Sequence, residues 1–192
     1  MDGCLNRSSG LTDDVTTASA TWENLFSSAP ANVDVSTQKQ MLGMYWQTNT
    51  AGSVAGVRFW RGAGTNPSDA HKVLLWDGSG NLLASQDVST HEYGHYGNNG
   101  WGWRDVRFSS PVSVSANTDY VVGYYSSNGQ NAYTHNVFNV SINNGNHLSA
   151  RQDTVSTYNG VYEQGSTITS TGFPTNRAPS GTWYGVDPIF KP

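Results

Sequence analysis

The sequence predicts an all-β fold, an antiparallel β-sandwich or jelly roll with long loops, and three observations predict it. Short apolar or alternating runs follow one another from Met41 onward, and turn residues separate them. Nowhere do ten or more residues repeat at helical spacing without Gly or Pro. Composition agrees, because Gly, Ser, Thr and Asn are abundant while the Ala/Glu/Lys/Leu content of a helical protein is missing. A chain of 192 residues is long enough for one sizeable core and short for two. The expected organisation is a polar tail at 1–20 and a single sandwich domain at 21–192.

Each element has its own signal. The run MLGMYWQT from Met41 is apolar throughout and reads as a buried strand. In SVAGVRFWRG the residues alternate, with Val57 and Phe59 on one face and Arg58 and Trp60 on the other. The stretch KVLLWDGSGNLLASQDV holds two apolar runs hinged at 77–81, Asp-Gly-Ser-Gly-Asn, residues that tolerate positive φ and so predict a hairpin. WRDVRFSSPVSV alternates again, with Val106 and Phe108 inward and Trp103, Asp105 and Arg107 outward. TDYVVGYYSSNGQNAYTHNVF reads as a strand, an Asn-Gly turn and a second strand. TWYGVDPIF is a closing strand that Pro188 assigns to an edge or bulge, since proline cannot donate to a ladder. Long loops are expected at 61–71, 89–102 and 136–182.

Charge and cysteine content narrow the function classes. A net charge of −4 without any Lys/Arg cluster argues against nucleic-acid binding, which needs a basic footprint to neutralise phosphates. Cys4 is the only cysteine, so neither an intrachain disulfide nor a cysteine zinc cage can form. No stretch approaches the roughly 20 apolar residues of a membrane span. The opening residues lack a basic region followed by an apolar run, so no signal peptide is read there.

One motif invites a catalytic reading. Residues 91–95, HEYGH, match the H-E-x-x-H zinc-protease signature, in which histidines one helical turn apart hold the metal and the glutamate activates water. The surrounding glycines at 94, 97, 100 and 102 oppose a helix, at roughly 1 kcal/mol each relative to alanine. On a strand the two histidines would stand about 13 Å apart, beyond the reach of one ion. A Gly-rich loop with solvent-facing His and Tyr is therefore the expectation here. Only three glutamates occur, and no Asp/Glu pair is singled out for glycosidic chemistry. Asp77 and Asn81 superficially resemble part of a calcium loop, but the hairpin accounts for them better.

The aromatics point elsewhere. Trp60, Trp103 and Trp183 fall opposite the predicted core residues or at strand ends, and Tyr93, Tyr96, Trp101, Tyr133, Tyr158 and Tyr162 are expected in loops. Exposed rings ask for a partner, and flat rings stack on the apolar faces of sugars while polar neighbours bond the hydroxyls. With Arg61 and His95 they form the candidate binding set. Asp187 in the closing strand is a candidate calcium ligand.

The ordered fragments LGMYWQTNTAGSVAGVRFWRGAG, LLWDGSGNLLAS, GWGWRDVRFSSPVSVSANTDYVVGYYSSNGQNAY, NGVYEQG, GFPTN and GVDPIF together resemble the domain of unknown function 4082 family. The resemblance spans about residues 22–190. It implies a β-sandwich module of bacterial extracellular proteins with a presumed carbohydrate- or matrix-binding role, and carries no catalytic residue over. The expectation is thus a non-enzymatic, lectin-like module at the cell surface or outside it that binds a glycan or polysaccharide. Calcium is its candidate cofactor, and a homo-oligomer would add avidity. A structural or adhesive module that binds protein or itself is the second expectation, and a zinc hydrolase acting through HEYGH the third.

Overall fold

The computed structural model describes residues 21–62, 71–88 and 102–192. They contain thirteen strands, paired antiparallel, and two short 3₁₀ turns. The larger sheet runs in the order β12 (Asn176–Arg177), β11 (Gly160–Gln164), β2 (Gln40–Thr48), β7 (Tyr120–Ser126), β4 (His71–Asp77), β5 (Leu82–Asp87). Alongside β11, β2 also takes β10 (Leu148–Ala150), which pairs in turn with β9 (Ile142–Asn143). The smaller sheet runs β13 (Val186–Lys191), β3 (Gly52–Arg61), β6 (Gly102–Val114). A separate ribbon joins β1 (Asn32–Val35) to β8 (Gln130–Tyr133).

The two sheets enclose the main core. Leu42, Met44 and Trp46 of β2 meet Val57 and Phe59 of β3 and Val106 of β6, all within about one per cent of full burial. The alternation read in β3 and β6 therefore predicts the inward side chains correctly, because every second residue of a strand faces the same layer. At Gly56 the close approach is tighter still. A Cβ there would lie 2.0 Å from the Val106 carbonyl oxygen, beside the bulge where the β3–β6 register shifts.

A second cluster covers the outer face of the larger sheet. Met41, Leu74, Trp76, Val121 and Val161 pack there beneath Tyr45, Tyr158, Ile168 and Phe173. The central strands are thus buried on both sides, which explains why MLGMYWQT is apolar without a break. The cover comes from 136–182, expected as one long loop. That expectation is corrected: the segment contributes β9 to β12 as well as the lid residues Ile168 and Phe173. These strands are two to five residues long, too short to leave a periodic signal in sequence.

The hairpin at 77–81 forms as expected. Asp77 Oδ1 accepts from the Ser79 and Asn81 amides, each at 2.9 Å, and the Asn81 side chain donates to Oδ2 at 2.8 Å. These bonds, the Asn81 side chain first, hold the Asp77 carboxyl below its ordinary pKa. The Asn128-Gly129 turn also forms, with Gly129 at φ +73°. The strand beyond it leaves β7, however, and pairs with β1. β13 closes the smaller sheet at an edge, with Pro188 opposite Val57 and a register shift at Ile189/Phe190, as the proline requires.

The outer face of the smaller sheet is covered as well. Residues 22–26 run against β13, where the Glu23 amide donates to the Phe190 carbonyl at 2.7 Å. Phe26 stacks on Trp183 at 4.1 Å between centroids.

Candidate functional site

Trp60 and Trp103, expected at a binding face, stand on the outer face of the smaller sheet, and Trp183 packs with them. Trp103 is 6 % exposed and Trp183 3 %, so the expectation that they are exposed is corrected. Trp103 meets Trp60 edge-on at 5.6 Å and Trp183 at 6.0 Å, and the Arg58 guanidinium lies 4.1 Å over its ring. The Trp183 indole donates to the Val186 carbonyl at 2.8 Å. Trp60 is partly buried in the same cluster, and Arg61 is buried. Alternation assigned these rings to an outward face correctly; the N-terminal segment and the 179–184 stretch then enclosed that face.

Asp187 sits at the centre of this cover, fully buried. Its Oδ1 accepts from the Leu25 amide at 2.9 Å, while Oδ2 accepts from the Phe26 amide at 2.9 Å and from Arg58 Nη2 at 2.8 Å. The carboxylate expected as a calcium ligand is thus held by two backbone amides and one guanidinium of the protein itself. Arg58 also donates to the Phe26 carbonyl, so one guanidinium ties β3 to both β13 and the N-terminal segment. Burial pushes the Asp187 carboxyl up to about 7, against the opposing pull of Arg58 and the two amides. Across the sheet Asp105 is likewise raised by burial, with Arg58 and Arg107 pulling it down.

Two of the expected residues, Tyr133 and Tyr162, do come together. They line a cleft of about 400 Å³ at the mouth of the main core, between the β1–β8 ribbon, the start of β2, β11 and the 179–184 stretch. Strand register explains its lining. Gln40 and Leu42 are inward positions of β2, opposite Gln164 and Tyr162 of β11. On the ribbon, Asn131 faces Asp34, and Tyr133 follows two residues later on the same side. Tyr184 completes the wall, with its ring 6.5 Å from that of Tyr162. Burial raises the Tyr184 hydroxyl pKa, helped by Tyr162 and Asp34, so this phenol stays protonated.

Neutral polar groups make up most of the remaining surface. Asn131 donates to the Gln40 side-chain oxygen at 2.8 Å, and Gln164 donates to Gln38 at 2.9 Å. His135 Nδ1 lies 2.8 Å from the Thr182 hydroxyl, which itself donates to the Pro179 carbonyl. Thr182 therefore accepts from Nδ1–H, and the His135 ring lies at the exposed rim. The ribbon is pinned to this wall by a reciprocal pair of backbone bonds between Thr134 and Trp183.

A family model described as a domain of unknown function (DUF4082) matches residues 27–185. The chain belongs to the DUF4082 family. A search among curated proteins finds no match. In this DUF4082 domain the remaining expected residue that is described, Tyr158, lies away from the cleft. Tyr158 packs edge-on against Tyr45 at 6.1 Å, on the opposite side of the larger sheet from the cleft. Tyr93, His95, Tyr96 and Trp101, with His91 and Glu92 of the HEYGH motif, lie outside the described residues. Sequence reading missed Asp34, Gln40, Asn131, His135, Gln164, Thr182 and Tyr184. A signal existed for one of them: Gln40 is a polar residue two positions before Leu42, in register with an inward apolar face.

Proposed function

We propose that this DUF4082 domain is a non-enzymatic glycan-binding module and that the Tyr133/Tyr162/Tyr184 cleft is its binding site. The observation that carries the reading is the cleft's make-up: three tyrosines around amide, hydroxyl and imidazole groups at the mouth of a rigid core. Tyrosines offer apolar ring faces for sugar C–H surfaces, and neutral amides and hydroxyls both donate to and accept from sugar hydroxyls. A volume near 400 Å³ suits one or two sugar rings and falls in the usual range of small-ligand sites. A glycan-binding role fits the extracellular placement that the family resemblance implies.

The test is a glycan array followed by affinity electrophoresis, each run with and without calcium. Binding to at least one polysaccharide is expected, and Tyr162→Ala and Tyr184→Ala should each weaken it tenfold or more while near-UV circular dichroism stays native. Failure to bind any glycan under either condition would overturn the proposal.

A second reading, self-association, is favoured by the edge strand β5. Leu82 and Leu83 are about 40 % exposed on a strand that, among the described residues, has a neighbour on one side only. Such an edge can accept a second chain by strand addition. Light scattering at high concentration distinguishes a dimer from a strict monomer, and a monomer would remove this reading.

A further inference from the structure

We propose that the cleft reads an acetamido group, so that its ligand is a chain of 2-acetamido sugars and not a plain hexose polymer. The inference rests on the glycan-binding reading above and sharpens it. Its basis is the pair Gln40 and Asn131, which are 5 % and 3 % exposed and both line the cleft.

The orientation of the Asn131 amide is set by its surroundings. Its Nδ2 donates to Gln40 Oε1 at 2.8 Å and to the Gly129 carbonyl at 3.3 Å. Reversing the amide would turn oxygen against that carbonyl, so the remaining atom is Oδ1, which is buried without a hydrogen-bond partner. Gln40 spends its oxygen on Asn131, and no described residue accepts from its Nε2. The pair thus holds one unmet acceptor, Asn131 Oδ1, and one donor without a described protein acceptor, Gln40 Nε2, on two amides joined by the bond between them. Leaving a buried polar atom unpaired costs about 1–3 kcal/mol, which a complementary ligand group recovers on binding. Next to the pair lies Leu42, the following inward residue of β2 and an apolar part of the same cleft.

An acetamido group carries the matching three features: a carbonyl for Gln40 Nε2, an N–H for Asn131 Oδ1, and a methyl for Leu42. A hexose hydroxyl has no methyl and meets donor and acceptor only through a single atom. The charged neighbour is Asp34, opposite Asn131 in the ribbon, with one oxygen bonded to the Ser36 amide. A carboxylate there disfavours acidic sugars, so among acetamido sugars the neutral ones are favoured.

Calorimetry on the full chain with three β-1,4-linked tetramers tests this: N-acetylglucosamine, glucosamine and glucose, which differ only at the C2 substituent. The expected result is binding of the acetylated tetramer at least tenfold tighter than the other two. In Gln40→Glu, which removes the Nε2 donor but keeps an acceptor for Asn131, the preference should fall toward parity. If that variant fails to fold, the wild-type comparison decides alone. Equal affinity for the three tetramers would overturn the acetamido inference and leave glycan binding standing. Binding only to unrelated polysaccharides on the array would do the same, whereas no glycan binding at all would overturn both.

Discussion

Asp187 shows how far a single side chain can depart from what its neighbours in sequence imply. In the unfolded chain its carboxyl titrates near its ordinary value of about 4, whereas burial raises it to about 7 in the fold. The folded state therefore holds a proton that the unfolded state releases between about pH 4 and 7. The stability this group contributes is full below about pH 4 and is lost as pH rises through about 7. Urea midpoints of the wild type, measured relative to Asp187→Asn, should accordingly fall across that window and level off above it. A flat difference would mean that the carboxylate is stably ionised against Arg58. Gly56 makes a steric counterpart. Its missing Cβ leaves room for the Val106 carbonyl, and the obstacle is backbone that cannot swing aside. Gly56→Ala should cost about 1–3 kcal/mol by chemical denaturation, the usual range for overpacking a filled core. Inward residues such as Phe59 and Val106 were legible from alternation alone. The partners of Asp187 were not, because Leu25 and Phe26 lie more than 160 positions away in the chain.

Among the elements, the strands with clear periodicity were legible and the covering segments were not. The β4–β5 hairpin needs only local turn chemistry, and Asp77 and Asn81 supply it within five residues. The 165–174 stretch, by contrast, has no regular structure, yet it brings Phe173 edge-on to Trp76 at 5.7 Å and to Tyr45 at 6.5 Å. If this contact seals the outer face of the larger sheet, Phe173→Ala should cost about 2 kcal/mol, below the ~3–5 of a fully buried phenylalanine, because Phe173 is only half-buried. Trp76 emission should shift to the red as water reaches it. A loss under about 0.5 kcal/mol, in the range of an ordinary surface substitution, would show that the segment merely rests on the sheet. The ribbon illustrates the same point for function. An Asn-Gly turn marks its start, but nothing local announces that β8 pairs with β1 and so turns Asn131 and Tyr133 toward the cleft.

At the scale of the molecule, the structural unit is larger than the family match. The match covers 27–185, yet Glu23 pairs with Phe190, and both flanking pieces enclose the smaller sheet. A chain cut to 27–185 loses β13 and with it Val186, Ile189 and Phe190, all buried to within one per cent. At roughly 1.5–3 kcal/mol for each apolar side chain, that loss alone rivals the about 5–15 kcal/mol of a typical domain. The fragment 27–185 should therefore give no cooperative thermal transition by near-UV circular dichroism, whereas 21–192 should. A native-like melt from the shorter fragment would contradict the role assigned to β13.

What the sequence determined by itself was the material of the fold: an all-β chain, its inward positions in β3 and β6, its turns at 77–81 and 128–129, and the edge placement of Pro188. Those features are set by periods of two and by residues that tolerate particular φ values, both local properties. Only the tertiary structure decided which faces would be covered. It buried Trp103 and Trp183, stacked Phe26 on the latter, tied Asp187 to Leu25, Phe26 and Arg58, and assembled the cleft from β1, β2, β8, β11 and the 179–184 stretch. The physical reason is that alternation records the two sides of a strand but not what lies over either of them. That cover comes from segments distant in the chain, whose own sequence carries no periodic mark of where they will rest.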